Sequence, residues 1–213
     1  MLSGSITYVV VILWGVWVLR GDRIERDRPM KVLFSLLFAF YVSRLLAVTL
    51  FPLPIDSAVI EQGRALGDSG FGPGNNFVPF RTVNDALGSE FSFVNQVIGN
   101  FLLLLPLGLM APLLFERFSR KVSAIALVIG TTVAIEVTQL GVSTLLGYTY
   151  RSFDVDDLWL NAAGGVLGVL FASWVMHLQD AGDAVESNAD DSALEVPVVT
   201  DSLESVPCRS ALG

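Results

Sequence analysis

One cysteine, one histidine and little charge leave this chain few routes to common active-site chemistry. Cys208 is alone in 213 residues, which excludes disulfides within the chain and cages built from several thiolates. His177 stands at the far end of the last hydrophobic run, so zinc or iron sites built on several histidines and Ser/His/Asp triads lack their raw material. It reads as a satisfied histidine at a membrane edge. The sequence contains no glycine-rich phosphate loop and no basic stripe interleaved with aromatics, so neither nucleotides nor nucleic acid are expected as partners.

Charged residues make up 16% of the chain and apolar residues 53%, where soluble domains carry about a quarter charged. That balance predicts an integral membrane protein. The formal charge of −8 arises almost wholly after residue 178. Residues 1 to 178 hold 12 Lys+Arg and 13 Asp+Glu, whereas residues 179 to 213 hold Arg209 against eight acids. The expected organisation is a transmembrane helical domain over 1–178 and an acidic cytoplasmic tail over 179–213, disordered because it has too little apolar surface to offset ordering entropy.

About 20 apolar residues in helical form cross a bilayer core of roughly 30 Å. Five runs meet that length or come close: 2–19, 32–51, 95–115, 122–146 and 158–178. The fold class is therefore all-α, a polytopic bundle of about five transmembrane helices with an interfacial outer loop. The first run is expected to be a retained span, because no Lys or Arg precedes it and the positive charges follow it. Arg20, Arg23, Arg26, Arg28 and Lys31 follow the first span, and Arg117, Arg120 and Lys121 follow the third. Retention of positive charge inside puts those loops in the cytoplasm, the N-terminus outside and the tail inside. The long loop 52–93 then faces outward with the short loop 147–157. A loop of that length without structure of its own is functional or disordered. Its stretch Asn75-Asn76-Phe77-Val78-Pro79-Phe80-Arg81 suits an interfacial layer with the arginine toward headgroups.

The polar residues inside these runs carry the functional signal. Thr132, Glu136, Gln139 and Ser143 recur at four, three and four residues, which places them on one helical stripe facing protein. A charge at mid-span costs about 2.5 to 3.5 kcal/mol on insertion scales, so Glu136 needs a partner, a proton or water. At about 1.5 Å of rise per residue, Glu136 lies about 21 Å beyond Val122, Asn100 about 9 Å beyond Val94 and Asn161 about 5 Å beyond Leu158. Three spans thus offer polar groups at similar depth near the outer side. Asp154, Asp157 and Asn161 follow at three and four residues, with Arg151 one turn earlier if the helix reaches it. Capping of the helix start accounts for part of this acidity. Gly164, Gly168 and Ala172 form a ladder of small residues that lets another helix approach closely. Pro106 and Gly108 predict a kink below Asn100.

In this order the residues resemble the VanZ-like family of bacterial membrane proteins, over about residues 76–170. The resemblance rests on Asn76-Phe77-Val78-Pro79-Phe80, Asn95, Gly99-Asn100, Pro106-Leu107-Gly108, Glu136, Gln139, the run Arg151 to Leu158, Asn161 and Gly164-Gly165. It implies a bacterial cell membrane, a cell-envelope role and a connection with resistance to the glycopeptide teicoplanin. It implies no mechanism.

Two functions fit the polar residues. In the first, Asn76, Arg81, Asn100, Gln139, Arg151 and Asn161 bind a membrane lipid, a lipid-linked cell-wall precursor or a glycopeptide. In the second the protein is a membrane enzyme acting on a lipid headgroup, with Glu136, Asp154 and Asp157 as its catalytic set. Those three carboxylates are then also the candidates for a divalent cation, since oxygen ligands suit Mg²⁺, Mn²⁺ or Ca²⁺. Arg81 and Arg151 would grip a phosphate or carboxylate, and Glu136, taken out of water, would act as general acid or base.

Overall fold

In a computed structural model, residues 8–9, 11–14, 29–69 and 74–194 are described. Helix α1 (Pro29–Leu50) is followed by the short α2 (Ser57–Asp68) and α3 (Arg81–Ala86). The composite α4 (Glu90–Leu114), α5 (Lys121–Leu146) and α6 (Val155–Leu194) follow, with a 3-10 turn at Glu116–Phe118 between α4 and α5. Four of these, α1, α4, α5 and α6, contain stretches long and apolar enough to cross a membrane. Most of the expected first span lies outside the described residues. Within it, residues 11–14 are helical, and Trp14 there packs on Phe38 of α1 and Phe115 while its indole N–H donates to Ser35 Oγ at 2.9 Å.

The chain divides into two compact units, Met1–Met176 and His177–Gly213, and the core belongs to the first. Phe38 and Leu45 of α1, Leu104, Leu107 and Ala111 of α4, Ala124 and Val128 of α5 and Val169 of α6 form it. Glycine decides how closely α4 and α6 approach. A Cβ on Gly164 would stand 1.6 Å from the Phe101 carbonyl oxygen, and one on Gly108 would stand 1.9 Å from that of Gly165. The ladder of small residues expected on α6 thus has α4 as its partner, and Ala172, one step further, is fully buried.

The kink expected at Pro106 falls at Leu104, where the backbone leaves the helix between Leu103 and Leu105. The Tyr41 hydroxyl of α1 donates to the Leu103 carbonyl at 2.8 Å, so a neighbouring helix satisfies an acceptor that the break exposes. Further up the same helix, Phe93–Ile98 is a π-turn, one residue wider than the α-helix on either side.

Two stretches hold helix that hydropathy does not announce. The loop 52–93 is not structureless, since it contains α2 and α3. The side chain of Asp56 caps α2 through the Ala58 amide at 3.0 Å, and a Cβ on Gly63 would meet the Tyr148 ring at 2.6 Å, so α2 lies against the α5–α6 connection. The helical sequence after residue 178 also runs further than composition suggests, for α6 continues to Leu194. The stretch 179–194 is rich in Ala, with Gln179, Glu186 and Leu194, all favourable helix formers that an argument from low hydrophobicity overlooks. Residues 195–213 of the expected tail lie outside the described residues.

Candidate functional site

At one end of the bundle the chain returns to itself. Asn76 pairs with Asp154 as an isolated parallel bridge, with Asn76 N donating to Phe153 O at 2.7 Å and Val155 N to Asn76 O at 3.0 Å. Phe77 stacks on Phe153 at 5.2 Å between ring centroids. This fastens the loop before α3 onto the start of α6.

The three aspartates at that start do different things. Asp156, fully buried, accepts through Oδ1 from Phe80 N at 2.6 Å and through Oδ2 from Thr82 N at 2.8 Å, with the Trp159 indole N–H at 3.1 Å from Oδ1. It therefore serves as the acceptor at the first turn of α3, where amides lack helical partners. Phe80 adopts left-handed backbone geometry at φ 64°, a conformation costly for a bulky residue and held here by that carboxylate. Asp154 caps α6 through the Asp156 amide at 2.8 Å and also accepts from Asn76 Nδ2 at 2.8 Å and the Thr82 hydroxyl. Asp157 points the other way and accepts from Asn100 of α4.

Glu136, 1% exposed on α5, accepts from the Asp154 amide at 3.2 Å. The stripe predicted on α5 is observed: Thr132, Glu136 and Ser143 are buried and Gln139 is half-buried. Ser143 Oγ donates to Arg151 O at 2.8 Å and accepts from the amides of Tyr150 and Arg151, fixing the α5–α6 connection.

The helix does not reach Arg151. The arginine precedes α6 rather than extending it, so it shares no helical face with Asp154 and Asp157. Its guanidinium does not pair with the aspartates; Nη2 donates to the Phe51 carbonyl at 2.7 Å, and the group stands 5.9 Å from the Tyr150 ring centroid. Gln139 Nε2 donates to Thr49 O at 3.0 Å, and the Tyr150 hydroxyl contacts the carbonyls of Leu50 and Pro52. Gln139, Tyr150 and Arg151 together cover the C-terminal carbonyls of α1, where a cation also complements the helix dipole.

Two neighbouring cavities gather the predicted residues. The rim cavity, about 390 Å³, is lined by Asn76, Arg81, Thr82, Gln96, Asn100, Ser152, Asp154 and Asp157 among others. The deep cavity, about 580 Å³, is lined by Gln96, Asn100, Glu136, Gln139, Tyr150, Arg151, Asp157 and Asn161, with Leu103 and Ile135 on its apolar side. Gln96, Asn100, Ser152 and Asp157 belong to both, so the Asn100–Asp157 hydrogen bond stands in the partition. Every candidate binding or catalytic residue named from sequence therefore borders one cavity or the other, whereas Thr132 and Ser143 of the α5 stripe border neither. Arg81 is the least enclosed, with a side chain 62% exposed and Nε 3.8 Å from Asp85.

Two amide oxygens in this region are buried without a hydrogen-bond partner, Gln139 Oε1 and Asn161 Oδ1, and Asn161 is 1% exposed. The donation from Gln139 Nε2 to a carbonyl fixes which end of that amide is the oxygen. Among the described residues no group of three or more His, Cys, Asp and Glu is arranged to hold a metal ion, that of Glu136, Asp154 and Asp157 included. Asp154 spends its oxygens on Asn76, Thr82 and the Asp156 amide instead.

Sequence reasoning left out Asp156, Thr82, Gln96, Tyr150 and Ser152. Gln96 was within reach, being four residues before Asn100, but the π-turn between them is what sets both on the cavity wall. Asp156 stands in the acidic run already noted, yet its partners are amides more than 70 positions away.

A bundle of apolar helices with a polar chamber at one end defines a polytopic membrane protein with a buried carboxylate-and-amide site. The chain belongs to the VanZ/LLP1 family, whose model matches residues 38–176 and so takes in most of α1, the loop helices α2 and α3, and both cavities. No match was found among curated proteins, and none among solved structures.

Proposed function

We propose that the deep cavity binds the hydroxyl-bearing headgroup of an envelope lipid, such as a glycerol or sugar head, at the outer leaflet of a bacterial cell membrane. The observation that carries this reading is the pair of unpartnered oxygens, Gln139 Oε1 and Asn161 Oδ1, beside the buried carboxylate of Glu136. A buried acceptor without a donor costs about 1 to 3 kcal/mol, and a hydroxyl-rich ligand supplies the missing donors. Asp157 and Glu136 accept further hydroxyls, and Arg151 offers its remaining N–H groups to ligand oxygens. Arg117, Arg120 and Lys121 connect α4 to α5 at the opposite end from the site, which supports an outward-facing cavity, an outside N-terminus and a cytoplasmic tail. Sequestering or presenting a lipid-linked cell-wall precursor at that surface gives the protein its envelope role, and glycopeptide resistance is the whole-cell consequence that the family suggests.

The test uses purified protein in nanodiscs of phosphatidylglycerol and phosphatidylcholine with identical chains. The first head carries hydroxyl donors and the second has none. Native mass spectrometry is expected to find phosphatidylglycerol retained at least tenfold over phosphatidylcholine, with the preference lost in Glu136→Gln and Asp157→Asn. Equal retention of both lipids, unchanged in the variants, overturns the reading. In cells, the same variants are expected to shift teicoplanin susceptibility as deletion does.

A second reading is enzymatic. Glu136 and Asp157 border one cavity, which supports acid/base work on a bound headgroup. Lipid extracts before and after incubation separate the two: a new lipid species formed by the native protein and not by Glu136→Gln makes it an enzyme.

A further inference from the structure

We infer that the ligand of the deep cavity is held by its hydrocarbon chain as well as its head, the chain lying in an apolar cavity between α1 and α5. This rests on the headgroup reading above. The apolar cavity, about 450 Å³, runs between Leu46 and Leu50 of α1 and Ala126, Gly130 and Ala134 of α5. Thr49 and Ile135 line both it and the deep cavity, so the polar and apolar spaces adjoin across two shared residues. One amphiphile fits that pair of surfaces.

The threonines on the apolar wall offer it no free hydroxyl proton. Thr49, Thr131 and Thr138 each donate to the carbonyl four residues earlier, at 2.8, 2.8 and 2.6 Å, and so leave the cavity lined by methyl and methylene groups. Small residues at 126, 130 and 134 recur every four positions, which hollows α5 lengthwise rather than at one point. From Ala126 to Thr138 the hollow extends about 18 Å along the helix axis, more than half of a bilayer core of about 30 Å. A protein helix laid in the apolar hollow would leave Asn161 and Gln139 of the adjoining deep cavity without donors. A lipid brings both parts, and enters sideways from the bilayer without crossing water.

Gly130 and Gly141 provide a matched pair, since a Cβ on either meets nothing within 4 Å and only Gly130 lines the apolar cavity. Gly130→Trp and Gly141→Trp are reconstituted in the phosphatidylglycerol and phosphatidylcholine nanodiscs, extracted into detergent, and weighed by native mass spectrometry beside Asp157→Asn. Lipid retention is expected to fall at least tenfold in Gly130→Trp and in Asp157→Asn, and to stay within twofold of the native protein in Gly141→Trp. Retention that survives Gly130→Trp but not Asp157→Asn overturns the chain site and leaves the headgroup site standing. A native protein that retains no lipid overturns both. A change of oligomeric mass in Gly130→Trp without loss of lipid makes the hollow a docking face for another helix, which also overturns the inference.

Discussion

Helices α4 and α6 meet over two stretches with opposite character. Around Gly108, Gly164 and Gly168 they touch backbone to backbone, and even a methyl group is excluded, with a Cβ on Gly168 standing 2.3 Å from the Leu105 carbonyl. One to two turns away, Asn100, Asp157 and Asn161 of the same helices meet through a side-chain hydrogen bond and border a cavity of about 580 Å³. Lipid tails are as apolar as leucine, so helices in a membrane associate through close packing and polar contact. The glycine crossing supplies the first, and its rigidity lets the polar end remain open and incompletely paired. Stability and the candidate site thus occupy separate lengths of one helix pair.

Substitutions can sharpen that contrast, in descending order of effect. Gly164→Val is expected to be the most damaging, because its Cβ meets backbone rather than a yielding side chain; a loss of about 3 kcal/mol or more would show as failure to yield a monodisperse protein in detergent. Asp156→Ala follows at about 3 kcal/mol, since it strands the Phe80 and Thr82 amides and the Trp159 indole, and the denaturation midpoint by Trp fluorescence should fall. Asn161→Leu reverses the sign. Removing an unpartnered buried oxygen is expected to raise stability by about 1 kcal/mol while abolishing lipid retention, the mark of a residue kept for binding rather than folding. Arg81→Ala is expected to change stability by no more than about 0.5 kcal/mol, because its ion pair with Asp85 is exposed.

Hydrophobic length alone located α4 and α5 in the sequence to within about five residues at each end, and a 3.6-residue period assigned the polar stripe of α5 to the protein side. Both are properties of one segment read by itself. Arg151 lies in a turn before α6, so the condition for a shared helical face is not met, and its partner is a carbonyl 100 positions earlier. The π-turn at Phe93–Ile98 was hidden for another reason: it widens the helix without any residue type that announces it. The acidic run advertised a site but concealed a division of labour, since Asp154 and Asp156 bind backbone and side-chain donors around α3 while Asp157 faces α4. Only the fold reveals which acids are occupied.

The central claim is that Arg81, between α1 and α4, and Arg151, between α5 and α6, share one face of the membrane, opposite Arg117 between α4 and α5. Single cysteines at these positions, in a Cys208→Ser background, can be challenged with a membrane-impermeant maleimide on intact cells and again after the cells are opened. The account predicts labelling at 81 and 151 from outside, and at 117 only after opening. Labelling of 81 and 151 from opposite sides would contradict it, because the residues lining the two cavities could not then meet.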